Sequence, residues 1–150
     1  MRVAIAVLLG AGLLAGCGRS RPSGPAVEYI PLAAGSSRPF SAAVRVGPMI
    51  YLSGQIGTDG TGRLVPGGIA AETRQTLENI RRVLVENGSS LDRVVKCTAM
   101  LADIGEWGAM NSVYASHFTR HLPARSAFGA SGLALGARIE LECWATVGPD

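Results

Sequence analysis

Arg125 follows Pro123-Ala124 and is succeeded by small and apolar residues, Ser126-Ala127-Phe128-Gly129-Ala130. A guanidinium in such company needs an anionic partner, and its planar fork matches a carboxylate. Two partners fit: an acid of the protein, giving a structural ion pair, or the carboxylate of a bound small molecule. A second candidate is Arg138-Ile139-Glu140-Leu141-Glu142, where charged and aliphatic residues alternate, so that Arg138, Glu140 and Glu142 share one face of a strand. By pattern alone, such charges read first as a solvated face. The third is Tyr51-Leu52-Ser53-Gly54-Gln55-Ile56-Gly57, a strand ending in small polar residues, where backbone N–H groups are available to a ligand.

Other chemistries find less support. No serine lies in a nucleophile elbow, no cysteine has an evident histidine partner, and no glycine-rich loop is built to cradle phosphate. His117 and His121 read as surface or capping residues, and Asp59 and Asp103 as turn residues bonding the backbone. Cys97 and Cys143 sit among apolar neighbours without His or Cys at metal-ligand spacing. They are expected as buried free thiols, with a disulfide as the alternative, and no metal site is expected.

The elements that must position these residues follow from periodicity and turn signals. Strands are expected over Val27–Ile30, Ala42–Val46 and Met49–Gln55, the last two forming a hairpin about Gly47-Pro48. Residues 57–68 hold five glycines and Pro66 and read as an irregular loop. Ile69, Leu77, Ile80, Val83 and Leu84 make a helical stripe within 69–87, stopped by Asn87-Gly88. A strand over Val94–Leu101, a helix over Trp107–His121 and strands over Ala124–Ala130 and Arg138–Val147 complete the domain. The order predicts an α+β sheet with helices on one face, and self-association to cover the other.

Composition narrows the class of partner. The 150 residues are 47% apolar and 17% charged, which excludes a disordered chain. Without Arg2, 13 basic residues stand against 11 acidic ones, and Lys96 is the single lysine. Scattered arginines at net charge +2 make no basic stripe, so no nucleic-acid partner is expected.

The three candidate segments, in this order and spacing, resemble the Rid (YjgF-like, reactive intermediate deaminase) family. The matching stretches are Pro39-Phe40-Ser41-Ala42-Ala43, Ser53-Gly54-Gln55-Ile56, residues 73–79, Val94-Val95-Lys96, Asn111 with Tyr114 and Phe118, Pro123-Ala124-Arg125-Ser126, and Ile139-Glu140-Leu141-Glu142. The resemblance spans about residues 28 to 148. It implies a chorismate-mutase-like single domain with a mixed six-stranded sheet, two helices on one face, and a homotrimer with clefts between subunits. Deaminating members hydrolyse 2-imino acids and their enamine tautomers to 2-oxo acids and ammonia without metal or organic cofactor.

By that resemblance Arg125 holds the substrate carboxylate and Glu142 positions water. Ser53, Gly54, Asn111, Phe40 and Ser126 line the cleft. Phe40 stands where the family commonly has a hydroxylated aromatic, and Ala127 where some deaminases have cysteine. The alternative is a non-catalytic module of the cell envelope that binds a small carboxylate in the same cleft. The ribonuclease activity attributed to some relatives fits the charge distribution least well.

The chain is expected to open with a leader. Met1-Arg2 precedes the uncharged run Val3–Gly16, whose fourteen residues span only about 21 Å as a helix, short of the ~30 Å bilayer core. A positive start, an apolar run and small residues at its end describe a secretory signal. Leu14-Ala15-Gly16-Cys17 resembles a bacterial lipobox, in which the cysteine becomes the lipidated first residue. The expected division is a signal over 1–16, a Gly/Ser/Pro/Arg tether over 17–26, and the domain over 27–150. The protein is then expected on the periplasmic side of the bacterial envelope, anchored by acyl chains. There, imines made by amino-acid oxidases or dehydrogenases are a conceivable supply. Replacing the lipidation site, Cys17→Ser, should release the protein from sedimented membranes, and unchanged sedimentation would refute lipidation.

Overall fold

The computed structural model describes residues 24–148. The expected signal, Cys17 and all but the end of the tether lie outside the described residues. Seven strands and two helices run in the order β1 (Val27–Ile30), β2 (Ala43–Val46), β3 (Met49–Leu52), β4 (Gln55–Ile56), α1 (Gly68–Glu86), β5 (Val94–Leu101), α2 (Trp107–His117), β6 (Ala124–Gly129) and β7 (Ile139–Thr146). One sheet joins all seven in the order β1-β2-β3-β7-β5-β6, with β4 pairing β7 beyond the end of β3. The expected six strands become seven because the chain breaks its ladder at Ser53-Gly54, between β3 and β4. The second helix ends at His117 rather than His121, as Phe118 leaves helical geometry.

The mixed character comes from one connection. β5 and β6 are parallel, so α2 has to carry the chain back between them, while the other pairings are antiparallel. Alternation along β7 then separates two environments. Ile139, Leu141, Cys143 and Ala145 are buried, whereas Glu140, Glu142 and Trp144 point to the side that the helices do not cover. A register shift between Val94 and Lys96 lets both Val94 and Cys97 face inward on β5. Leu77, Ile80 and Leu84 of α1, Met110 and Tyr114 of α2, and Phe118 just beyond it complete this core.

α1 is tied to the exit of β4 by polar contacts. Asn79 donates through Nδ2 to the carbonyls of Ile56 (3.0 Å) and Thr58 (2.9 Å). Gly57 lets the two backbones approach, since a Cβ there would lie 2.8 Å from Cα of Glu72. The Glu72 carboxylate, itself buried, accepts from the Arg138 amide at 2.8 Å and so fixes the entry to β7.

Cys97 and Cys143 correct the expectation of free thiols. They are directly opposed in the β5–β7 register, with Cα atoms 4.2 Å apart, and form a disulfide. The sequence places each on a strand but does not give the register that makes them neighbours. The pair closes a separation of 46 residues, for which the chain-entropy model assigns about 4 kcal/mol of stabilisation. The double variant Cys97→Ala/Cys143→Ala should lose roughly 2–4 kcal/mol in denaturant titration. An unchanged midpoint, or two titratable thiols at Cys97 and Cys143 in the unfolded wild type, would contradict the bond.

Candidate active site

β6 is an edge strand, and its residues alternate between the two faces of the sheet. Arg125 lies level with Cys97 of β5, on the helix-covered side, where α2 passes over it. α2 presents Trp107, Met110, Asn111 and Tyr114, a stripe at i, i+3, i+4 and i+7. The Arg125 guanidinium carbon is 4.4 Å from the Tyr114 ring centroid and 5.7 Å from that of Trp107. Nη2 donates to Oδ1 of Asn111 at 2.7 Å, and Nη1 approaches the Met110 sulfur at 3.9 Å. Aromatic faces hold a cation by its charge while leaving the guanidinium N–H edge free.

No Asp or Glu of the described residues pairs with Arg125. Of the two partners the sequence allowed, the structural ion pair is therefore ruled out among these residues. Arg138 shows what such a pair looks like here, since it meets the Glu106 carboxylate at 2.6 Å. Arg125 remains part-buried with donors unused, a seat for an incoming carboxylate. Beneath it, Tyr114 is buried and its hydroxyl has no hydrogen-bond partner among the described residues. Burial pushes that phenol up to about 12 against the opposing pull of the Arg125 charge, so it stays neutral beside the guanidinium at physiological pH.

Ser53, Gly54 and the acids of β7 form a second cluster. The Ser53 hydroxyl donates to the Ser41 carbonyl at 2.7 Å, anchoring the segment that carries the exposed Phe40. The Glu140 side chain lies against Gly54, where a Cβ would overlap Oε1 and sit 2.8 Å from the carboxyl carbon, so a larger residue there would displace this carboxylate. Glu140 is therefore the acid that packs against the Ser53-Gly54 segment. Glu142 points to the same side of the sheet but is level with Thr98, and its Oε1 accepts from the Trp144 indole at 2.9 Å. Ser126, also level with Thr98, has its hydroxyl bonded by Lys96 Nζ at 2.9 Å.

The two clusters do not meet within one chain. Cys97 pairs Arg125, while the next residue, Thr98, pairs both Ser126 and Glu142. Neighbouring strand residues point to opposite faces, so Arg125 with Asn111 is on the helix side and Ser126, Glu140 and Glu142 are on the other. Two strand spacings, roughly 10 Å, also separate β6 from β7. Glu140, which the sequence groups with Glu142 on one strand face, is the acid to which the resemblance gave no role. Its signal is the β4–β7 register that pairs it with Ile56, which periodicity alone does not reveal.

The family model described as Endoribonuclease L-PSP matches residues 31–147. The chain belongs to this family. Among its relatives, the 2-iminobutanoate/2-iminopropanoate deaminase of Mus musculus is 43% identical over 112 residues, covering 74% of this chain and 83% of that protein. The protein of the same name from Rattus norvegicus is 46% identical over 111 residues, covering 73% and 81%. A putative endoribonuclease L-PSP from Entamoeba histolytica superposes with a TM-score of 0.75 at 42% identity, covering 81% of this chain and all of that one. The YjgF gene product of E. coli gives 0.69 at 32% identity, covering 79% and 93%. The Rid/YjgF resemblance and the α+β fold are thereby established.

The unpartnered phenol gives a direct check on the Arg125 seat. Tyr114→Phe keeps the ring over the guanidinium and removes a buried group that bonds nothing. Stability in denaturant should stay level or rise by up to about 1 kcal/mol. A loss above about 1.5 kcal/mol would show that the hydroxyl is paired in the folded protein.

Proposed function

We propose that this protein hydrolyses small 2-imino acids to 2-oxo acids and ammonia, in clefts completed by a second copy of the chain. The observation that carries the reading is the part-buried guanidinium of Arg125, held by Asn111 and two aromatic rings and without a carboxylate partner among the described residues. The names of the deaminases 43% and 46% identical to it point to the same chemistry.

The reaction asks little of the protein. The imine carbon is already electrophilic, so catalysis consists of holding the substrate and delivering water. Arg125 takes the carboxylate in its free fork. A carboxylate on the facing copy accepts a proton from water as its oxygen bonds to the imine carbon. The carboxylate returns that proton to nitrogen, giving a carbinolamine, and the hydroxyl proton then moves to nitrogen as the C–N bond breaks, the carbonyl forms and ammonia leaves. Sequence resemblance gave the water-positioning role to Glu142. Geometry favours Glu140, which lies against Gly54 where backbone N–H groups end the β3 ladder, while Glu142 is already engaged by Trp144.

Assembly and location belong to the same reading. The side of the sheet left open by the helices carries exposed Tyr29, Phe128 and Trp144 as well as Glu140 and Glu142, and a second copy seated there covers apolar surface and brings an acid toward a neighbour's Arg125. The family resemblance makes the assembly a trimer. The leader and Cys17 argue for export and lipid anchoring, and a buried disulfide suits an oxidising compartment. RNA cleavage, the activity in the family's description, is disfavoured by scattered cations.

One observation favours binding without turnover: the exposed ring of Phe40 has no hydroxyl to offer substrate or water. An amino-acid oxidase acting on alanine supplies 2-iminopropanoate and decides between the readings. Wild type should speed its disappearance. Arg125→Ala and Glu140→Gln should each lower kcat/KM by about 100-fold or more, and Glu142→Gln by less than about fivefold. Equal acceleration by Arg125→Ala would end the hydrolase reading, and 2-oxo acid binding without any acceleration would select the binding module.

A further inference from the structure

We propose that Trp107 is a specificity-determining residue that forms the wall against the ligand's side chain and, among small 2-imino and 2-oxo acids, favours those with an apolar or aromatic substituent over those with only a methyl group. The inference rests on Arg125 being the carboxylate seat. Four side chains of α2 surround that guanidinium, and they differ in what they offer a ligand. Met110 is 0% exposed and Tyr114 3%, so both close the inner side, and Asn111 is spent on Nη2. Trp107 is 43% exposed although it faces the charge. It is the one of the four whose large apolar surface remains open to solvent beside the unused donors.

The geometry places a ligand against it. A carboxylate bound to the guanidinium fork has its carbon about 4 Å from Cζ, and the α-carbon of the ligand stands one bond further out. The indole centroid is 5.7 Å from the same Cζ, so substituents on the next carbon come within van der Waals reach of the ring. A methyl group covers little of it, whereas a phenyl or isobutyl group covers much and gains from the aromatic face.

The backbone that carries the indole is anchored. Asp103 accepts from the Gly105 amide at 2.8 Å in the turn that leads into α2. Glu106, directly before Trp107, is gripped by Arg138 through both carboxylate oxygens. The start of the helix is thereby tied to the start of β7, and Trp107 is its first residue.

The test compares pyruvate with phenylpyruvate by calorimetry on the full chain, alongside kcat/KM for the imines an oxidase makes from alanine and phenylalanine. Wild type should prefer the phenyl member of each pair by roughly tenfold. Trp107→Ala should bring both ratios to within about threefold by weakening the phenyl member alone, and Trp107→Phe should keep most of the preference. An equal loss for both ligands in Trp107→Ala would overturn the inference, because the ring would then act only by holding Arg125. So would a wild type that does not discriminate, or one that binds neither 2-oxo acid. If the binding preference appears and depends on Trp107 while no imine is hydrolysed faster, the hydrolase reading fails and the specificity wall stands.

Discussion

The charge on Arg125 is held without being neutralised. Two rings and an amide oxygen from one face of α2 fix the guanidinium on the helix side of an edge strand, and no carboxylate among the described residues reaches it. Cation–π contact and a single side-chain acceptor stabilise the ion while leaving most of its donors free. A protein acid in that place would have made a stable ion pair and an inert surface. The parallel β5–β6 pairing serves this arrangement, since it is what brings α2 across the edge strand.

Strand geometry then imposes the second constraint. Glu140 and Glu142 are on the opposite side of the sheet from Arg125, two strands away. No rotamer of either acid brings it through the sheet to a ligand bound at Arg125. The same open side exposes large apolar residues, so the surface that needs covering and the acids that need a partner coincide. Under the proposed hydrolysis, association of copies and assembly of the site become one event. Gly54 sharpens this picture, because the Glu140 carboxylate rests in the space that a side chain there would fill, where the β3 ladder stops.

Much of this was legible in the residues. Alternation in Ile139–Thr146 and the stripe in α1 marked the elements, and Pro123-Ala124-Arg125 and Asn111 were singled out as residues that the structure does bring together. What periodicity withholds is register. It could not say that Cys97 faces Cys143, which turned two presumed thiols into a disulfide, nor that Ile56 pairs with Glu140, which moves attention from Glu142 to its neighbour. It also could not decide whether Arg125 pairs with a protein acid, since any of several carboxylates might have folded against it. The end of α2 was misjudged for a local reason: Phe118 turns out of helical geometry before His121 is reached.

The central claim is that one chain supplies the carboxylate seat and another the acid. Subunit complementation tests it most directly. Arg125→Ala and Glu140→Gln proteins, each inactive alone, are unfolded together, refolded at equal concentration and assayed for imine hydrolysis. Random mixing should place an intact Arg125 opposite an intact Glu140 at roughly a quarter of the clefts, whatever the number of copies in the ring, and recover about that fraction of wild-type activity. Mixed assemblies that form but recover no activity would contradict the shared site.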